Sequence, residues 1–205
     1  MLLQLIQIAD GFLQTGEIIN GLIVTGDSEP FRGLSENFQF ESAAAAIIIS
    51  KVEGPGGFSF FRSYTYPEHN KEFISNTYFG HMHGNWGKRN ILSVRQKETY
   101  LSLCIDRSFE SLNKFLNETG LRMHEIDLII SSQSPEGFTS GMKKKAGFNE
   151  KLVEIPKSGT KEFHTAGPAF ALKKVWDDNR FKTSKNILFL TVGSGISVNF
   201  ALYKN

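Results

Sequence analysis

The chain has 205 residues, a net charge of +2, and 40% hydrophobic against 21% charged residues, the balance of an ordinary globular protein with one substantial core or two small ones. So slight a positive charge gives no electrostatic case for nucleic acid or an acidic membrane surface as partner, and no run approaches the ~18 apolar residues that a membrane span needs. A single cysteine excludes an internal disulfide framework and leads us to expect a reducing, cytoplasmic setting.

Residues 2–13 predict a helix. Leu2, Leu5, Ile6, Ala9 and Leu13 make one face, and Leu3, Ile8 and Phe12 carry apolarity beyond the usual stripe, so the helix is expected to be enclosed on most sides. It does not read as a signal peptide: there is no basic leader, Gln4, Gln7 and Asp10 interrupt it, and no small-residue cleavage site follows. It starts at Met1 with no capping residue and no earlier element to cover it, and Gly16 is placed to end it. Residues 22–24 and 43–49 read as buried strands. Between them 26–41 is polar and irregular, a loop able to border a site. Glu53-Gly54-Pro55-Gly56-Gly57 cannot continue a strand and divides the chain into 1–52 and 53–205.

Residues 58–66 predict an aromatic strand, whereas 67–92, polar and aromatic with several glycines, give no clear element. A long helix is predicted over 96–119, with Leu101, Cys104, Ile105, Leu112, Phe115 and Leu116 on or near one face and Gly120 as its stop. Next come strand 126–131, a short helix through Lys145, strand 152–155 and helix 165–177. This alternation argues for a mostly parallel sheet. Strand 187–192, the turn Gly193-Ser194-Gly195 and strand 197–203 close the chain, the last strand antiparallel. The order helix, strand, turn, strand also appears, more loosely, at the front. The chain therefore reads as an α/β protein of two similar halves, the first without its beginning.

Candidate chemistry is sparse. His81 and His83 could face one way on a strand with His69 as a third ligand, but no acidic ligand is in frame, and we expect no metal site. Cys104 sits mid-helix on an apolar stripe, where a thiol is an inert core filler. The Gly193-Ser194-Gly195 turn lacks the strand-to-helix setting of a dinucleotide loop. Lys143-Lys144-Lys145 is a compact positive patch of the kind that usually forms a solvated helix face.

Taken in order, several segments resemble the thiolase superfamily, in its ketoacyl-acyl-carrier-protein synthase III branch. They are Ala9-Asp10 with Leu13-Gln14-Thr15-Gly16, then residues 21–26, Glu125-Ile126-Asp127-Leu128-Ile129-Ile130, His164-Thr165-Ala166, and Gly193-Ser194-Gly195 with its closing strand. The resemblance implies a five-layer fold of two duplicated α/β halves, each with a mixed five-stranded sheet. Residues 53–205 would be a complete second half, and 1–52 the last helix and two strands of the first. It implies acyl transfer or condensation on thioesters of coenzyme A or acyl carrier protein, with no tightly bound cofactor. The family's nucleophilic cysteine would fall just before Met1, so this chain alone is expected to be inactive, completed by a first-half chain, or to serve as a non-catalytic subunit of a catalytic partner or as a homo-oligomer.

Two further site positions carry over. A histidine that in the branch follows strand 126–131 is replaced by Ser132, and an asparagine that opens helix 165–177 is replaced by His164, as in other thiolase branches. Such groups donate hydrogen bonds to developing negative charge; a serine hydroxyl donates one but is no base near neutrality. For His164 a capping role stays open, for Ser132 a silent one, and a Ser132–His164 nucleophile–base pair is a further alternative. Gly193, Ser194 and Gly195 match the turn that helps form the oxyanion hole, and Lys143, Lys144 and Lys145 would greet phosphopantetheine or carrier protein.

Overall fold

The computed structural model describes residues 2–29, 35, 38–51, 53–78, 91–156 and 161–205. Helix α1 (Leu2–Thr15) stops at Gly16, whose φ of 79° needs glycine and whose N–H reaches the Leu13 carbonyl at 3.2 Å. Strands β1 (Asn20–Asp27) and β2 (Ala43–Ser50) pair antiparallel over their full length and form a sheet of their own. The main sheet holds β3 (Gly57–His69), β8 (Gly195–Lys204), β7 (Asn186–Gly193) and β6 (Leu128–Ser131), in that order. Strand β8 runs antiparallel to both neighbours and β6 pairs parallel with β7. Among the described residues only β6–β7 is a parallel pair of this sheet, so it is mixed rather than the mostly parallel sheet that the strand–helix alternation predicts.

Several expectations need correction: the main sheet has four strands among the described residues rather than five, and strands 22–24 and 43–49 are half exposed rather than buried. The segment 152–155 is not a strand but a single parallel bridge, Ile129 to Leu152. Its place is held by a side chain: the Gln133 amide donates to the Val153 carbonyl at 3.1 Å and accepts from the Ile155 N–H at 2.9 Å. Gln96 ends strand β5 (Ile91–Gln96) rather than opening a helix; β5 pairs with β4 (Phe73–Tyr78), and helix α2 (Tyr100–Thr119) starts later. The illegible stretch thus contains a strand pair, whose connection, His81 and His83 included, lies outside the described residues.

Helices lie on both faces of the main sheet. On one, α2 and α3 (Phe138–Ala146) bury Cys104, Leu112, Phe115, Phe138 and Met142 against Leu188, Leu190, Val198 and Phe200. On the other, α1 and α4 (Gly167–Asp177) bury Leu2, Leu3, Ile6, Ala171 and Val175 against Ile187, Phe189 and Ala201. Each fully enclosed Leu, Ile or Phe contributes about 1.5–3 kcal/mol. The alternation of β7 side chains between the two faces is what makes both cores.

The β1–β2 pair adds a further layer beyond α1, with Ile23 turned inward. Its outward face is apolar and open: Leu22, Val24 and Ile48 are 67%, 62% and 71% exposed. Helix α1 is likewise less enclosed than its sequence suggests, since Ile8 and Phe12 face solvent. Nothing among the described residues covers that side.

Candidate functional site

Strand β1 ends at Asp27, and the extended stretch before α4 ends at His164-Thr165, so a residue of the front pair meets two residues from far along the chain. The Asp27 carboxylate accepts three hydrogen bonds: from the Thr165 N–H at 2.6 Å, from the Thr165 hydroxyl at 2.6 Å, and from His164 Nδ1 at 3.1 Å. Its side chain is only 10% exposed and that of His164 39%. Burial alone would raise the Asp27 pKa, but the hydrogen bonds from His164 and Thr165 outweigh it and hold the carboxyl below its ordinary range. A carboxylate facing Nδ1 assigns the proton of the neutral ring to that nitrogen and leaves the lone pair on Nε2.

The ring is also fixed from its face. Phe40 stacks on His164 with centroids 4.3 Å apart and planes 21° apart, and Phe73 lies nearly parallel at 6.5 Å. Phe40 is buried and held by backbone pairing of its neighbours: Glu41 N–H to the Glu162 carbonyl at 2.8 Å, and Glu162 N–H to the Gln39 carbonyl at 2.9 Å. A polarised imidazole at the mouth of a helix, aligned by a carboxylate and an aromatic face, can serve as a proton acceptor or donor.

The other sequence candidates sit in different settings. The Ser132 hydroxyl accepts from the Val192 N–H at 3.0 Å and donates to the Val192 carbonyl at 3.4 Å, tying the end of β6 to β7. The hydrogen bonds of His164 go to Asp27 and Thr165, so the two side chains have separate partners. Gly193, Ser194 and Gly195 turn β7 into β8; Gly195 has φ 87°, and an added Cβ at Gly193 or Gly195 would meet open space. Of the three lysines, Lys143 pairs with Glu154 at 2.8 Å and Lys145 with Asp106, while Lys144 is exposed. His69 accepts a hydrogen bond from Arg107 on Nε2 at 3.2 Å. No group of three or more potential metal ligands occurs among the described residues. Cys104 is fully buried, its thiol pushed up to about 12 by burial.

Asp27, Phe40 and Gln133 were not singled out by sequence, and Thr165 only as part of the His164-Thr165-Ala166 segment. An acidic residue closing an apolar strand, and a hydroxyl directly after His164, are the local signals that existed. Gln133 braces the site from behind: Gly167, at the start of α4, leaves room for it, and a Cβ there would come within 3.1 Å of its side chain.

No family model matches the sequence, and no curated protein matches it either. Solved structures do match in three dimensions. The 3-oxoacyl-(acyl-carrier-protein) synthase III of Aquifex aeolicus superposes with a TM-score of 0.74 at 17% identity, over 99% of this chain and 63% of that one. The fold is that of the type III ketoacyl synthases. OleA of Xanthomonas campestris gives a TM-score of 0.75 at 20% identity, over 98% of this chain and 62% of that one. A further OleA structure, holding lauric acid and lauroyl-CoA, gives 0.73 at 19% identity, over 98% and 62%. The chain thus spans less than two thirds of the length of these relatives in fold. A mixed sheet between helices, the thiolase-like architecture expected from the motifs, is what the coordinates contain.

Proposed function

We propose that this chain handles acyl thioesters as part of a synthase III-type condensing or acyl-transfer enzyme, with His164 as its proton-transfer and hydrogen-bonding group. The observation that carries the reading is the Asp27–His164 contact at the head of α4, on a fold shared with OleA, which is crystallised with lauroyl-CoA. The Gly193–Gly195 turn supplies backbone N–H groups for a thioester oxygen, and coenzyme A or phosphopantetheine carries the acyl group as substrate. The nucleophilic thiol of a condensing enzyme comes from outside these residues, because Cys104 is sealed in the core. The open face of the β1–β2 pair is where further polypeptide of the same fold adds.

A second reading has its own support. Ser132 spends its hydroxyl on the Val192 backbone, as expected of a subunit that has given up catalysis and stabilises a catalytic partner. Titrating the protein with lauroyl-CoA by calorimetry separates the two. Saturable binding weakened by His164→Gln supports the first reading. Absence of binding leaves the scaffold.

A further inference from the structure

We propose that the Asp27–His164 pair gives this chain an activity of its own, the hydrolysis of acyl thioesters with water as nucleophile; this rests on the acyl-thioester reading above. Condensation needs a protein thiol, and none is available among the described residues: Cys104 has no exposed surface. The hydroxyls of Thr165 and Ser132 are engaged too. That of Thr165 donates to Asp27 at 2.6 Å, and that of Ser132 bonds the Val192 backbone. The base, in contrast, is complete. Nδ1 of His164 is occupied by Asp27, Nε2 has no hydrogen-bond partner among the described residues, and the ring is 39% exposed, so water reaches it.

The chemistry balances with these groups alone. Nε2 takes a proton from water as the water oxygen bonds to the thioester carbon, and the carbonyl oxygen becomes an oxyanion. Collapse of that intermediate breaks the carbon–sulfur bond. The departing thiolate takes the proton back from Nε2, giving a carboxylic acid and a free thiol. Asp27 is a positioning residue: it keeps the Nδ1 proton in place and stabilises the imidazolium between the two transfers. Phe40, stacked at 4.3 Å, restrains ring rotation.

The test follows free thiol released from lauroyl-CoA by the purified chain, with lauroyl-CoA binding measured in parallel. Release above the buffer rate is expected, falling about 100-fold in His164→Gln, with partial recovery of His164→Ala by added imidazole. Asp27→Asn is expected to lower kcat with little change in KM, a split that general loosening would not produce. Circular dichroism of each variant confirms folding, and imidazole rescue requires it. Binding without thiol release overturns the hydrolytic proposal alone. So does release that survives His164→Gln, or an acyl adduct on Ser132 or Cys104 by intact mass. No binding overturns the acyl-thioester reading as well.

Discussion

Replacing Asp27 by asparagine alters one atom and should invert the imidazole behind it. Three donors converge on the carboxylate: the Thr165 N–H, the Thr165 hydroxyl and His164 Nδ1–H. An amide offers one acceptor oxygen. With that oxygen kept on the Thr165 N–H, the amide nitrogen points its own hydrogens at the other two. The hydroxyl answers by rotating, and the imidazole answers by moving its proton to Nε2. Hydrogen bonds to a charged group contribute about 1.5–3 kcal/mol and neutral ones about 0.5–1.5, so each bond weakens by about 1 kcal/mol. The bond from the partly exposed His164 weakens by less, which makes the whole change about 2 kcal/mol. For a chain of this size that is a drop in Tm of about 4–8 °C. The loss depends on pH in a definite sense. The folded carboxyl titrates below its ordinary value of 3.8, so its stabilisation is fully present above that value and disappears as pH falls through the folded pKa. Thermal unfolding at pH 7 and at pH 3 should therefore show a gap between wild type and variant that narrows in acid. Long-range 15N–1H correlation of the ring should show Nδ1–H in the wild type and Nε2–H in the variant. Equal Tm values at pH 7, or Nε2–H in the wild type, would refute the reasoning.

Gln133→Met keeps the volume but removes three hydrogen bonds to the backbone of residues 131, 153 and 155; a loss of about 1–3 kcal/mol is expected from urea unfolding, and an unchanged midpoint would show that the amide does not brace the sheet edge. Cys104 should stay unreactive toward Ellman's reagent at pH 8 until the protein unfolds, because burial both blocks the thiol and raises its pKa to about 12. If association uses the open β1–β2 face as proposed, Val24→Lys with Ile48→Lys should abolish it, read as monomer mass in static light scattering, while changing stability by only ~0.5 kcal/mol per site. A large loss of stability there would mean the face is packed rather than open.

What could be read from the sequence was whatever is set locally. The stops at Gly16 and Gly120 follow from positive φ, and the turn between β7 and β8 from adjacent glycines. Cys104 as core filler follows from its place on the α2 stripe. His164 was reached through the resemblance, as the residue matching the family position that opens helix 165–177; it lies three residues before α4. Its partner could not be reached, since Asp27 lies 137 residues away and no periodicity links them. The missing strand at 152–155 failed for a related reason: a side-chain amide can imitate a backbone partner, and patterns of apolar residues carry no record of it. The β4–β5 pair was hidden by polar residues within it, Ser75, Asn76 and Thr77 among them. Enclosure of α1 was overestimated because an all-round apolar helix reports what its surface favours, and the described residues cover only part of it.

Strand β2 carries a hazard of its own. Residues 43–49 read Ala-Ala-Ala-Ala-Ile-Ile-Ile, with no charge, proline or glycine, and the side of β2 away from β1 has no strand beside it among the described residues. Natural sheets usually guard such a margin with lysine or a bulge, and within residues 43–50 this one has neither. Identical copies could stack along it as in a steric zipper, one rung every ~4.8 Å. Left concentrated and uncovered, the protein is therefore expected to seed fibres that bind thioflavin T, with the isoleucine run at their spine.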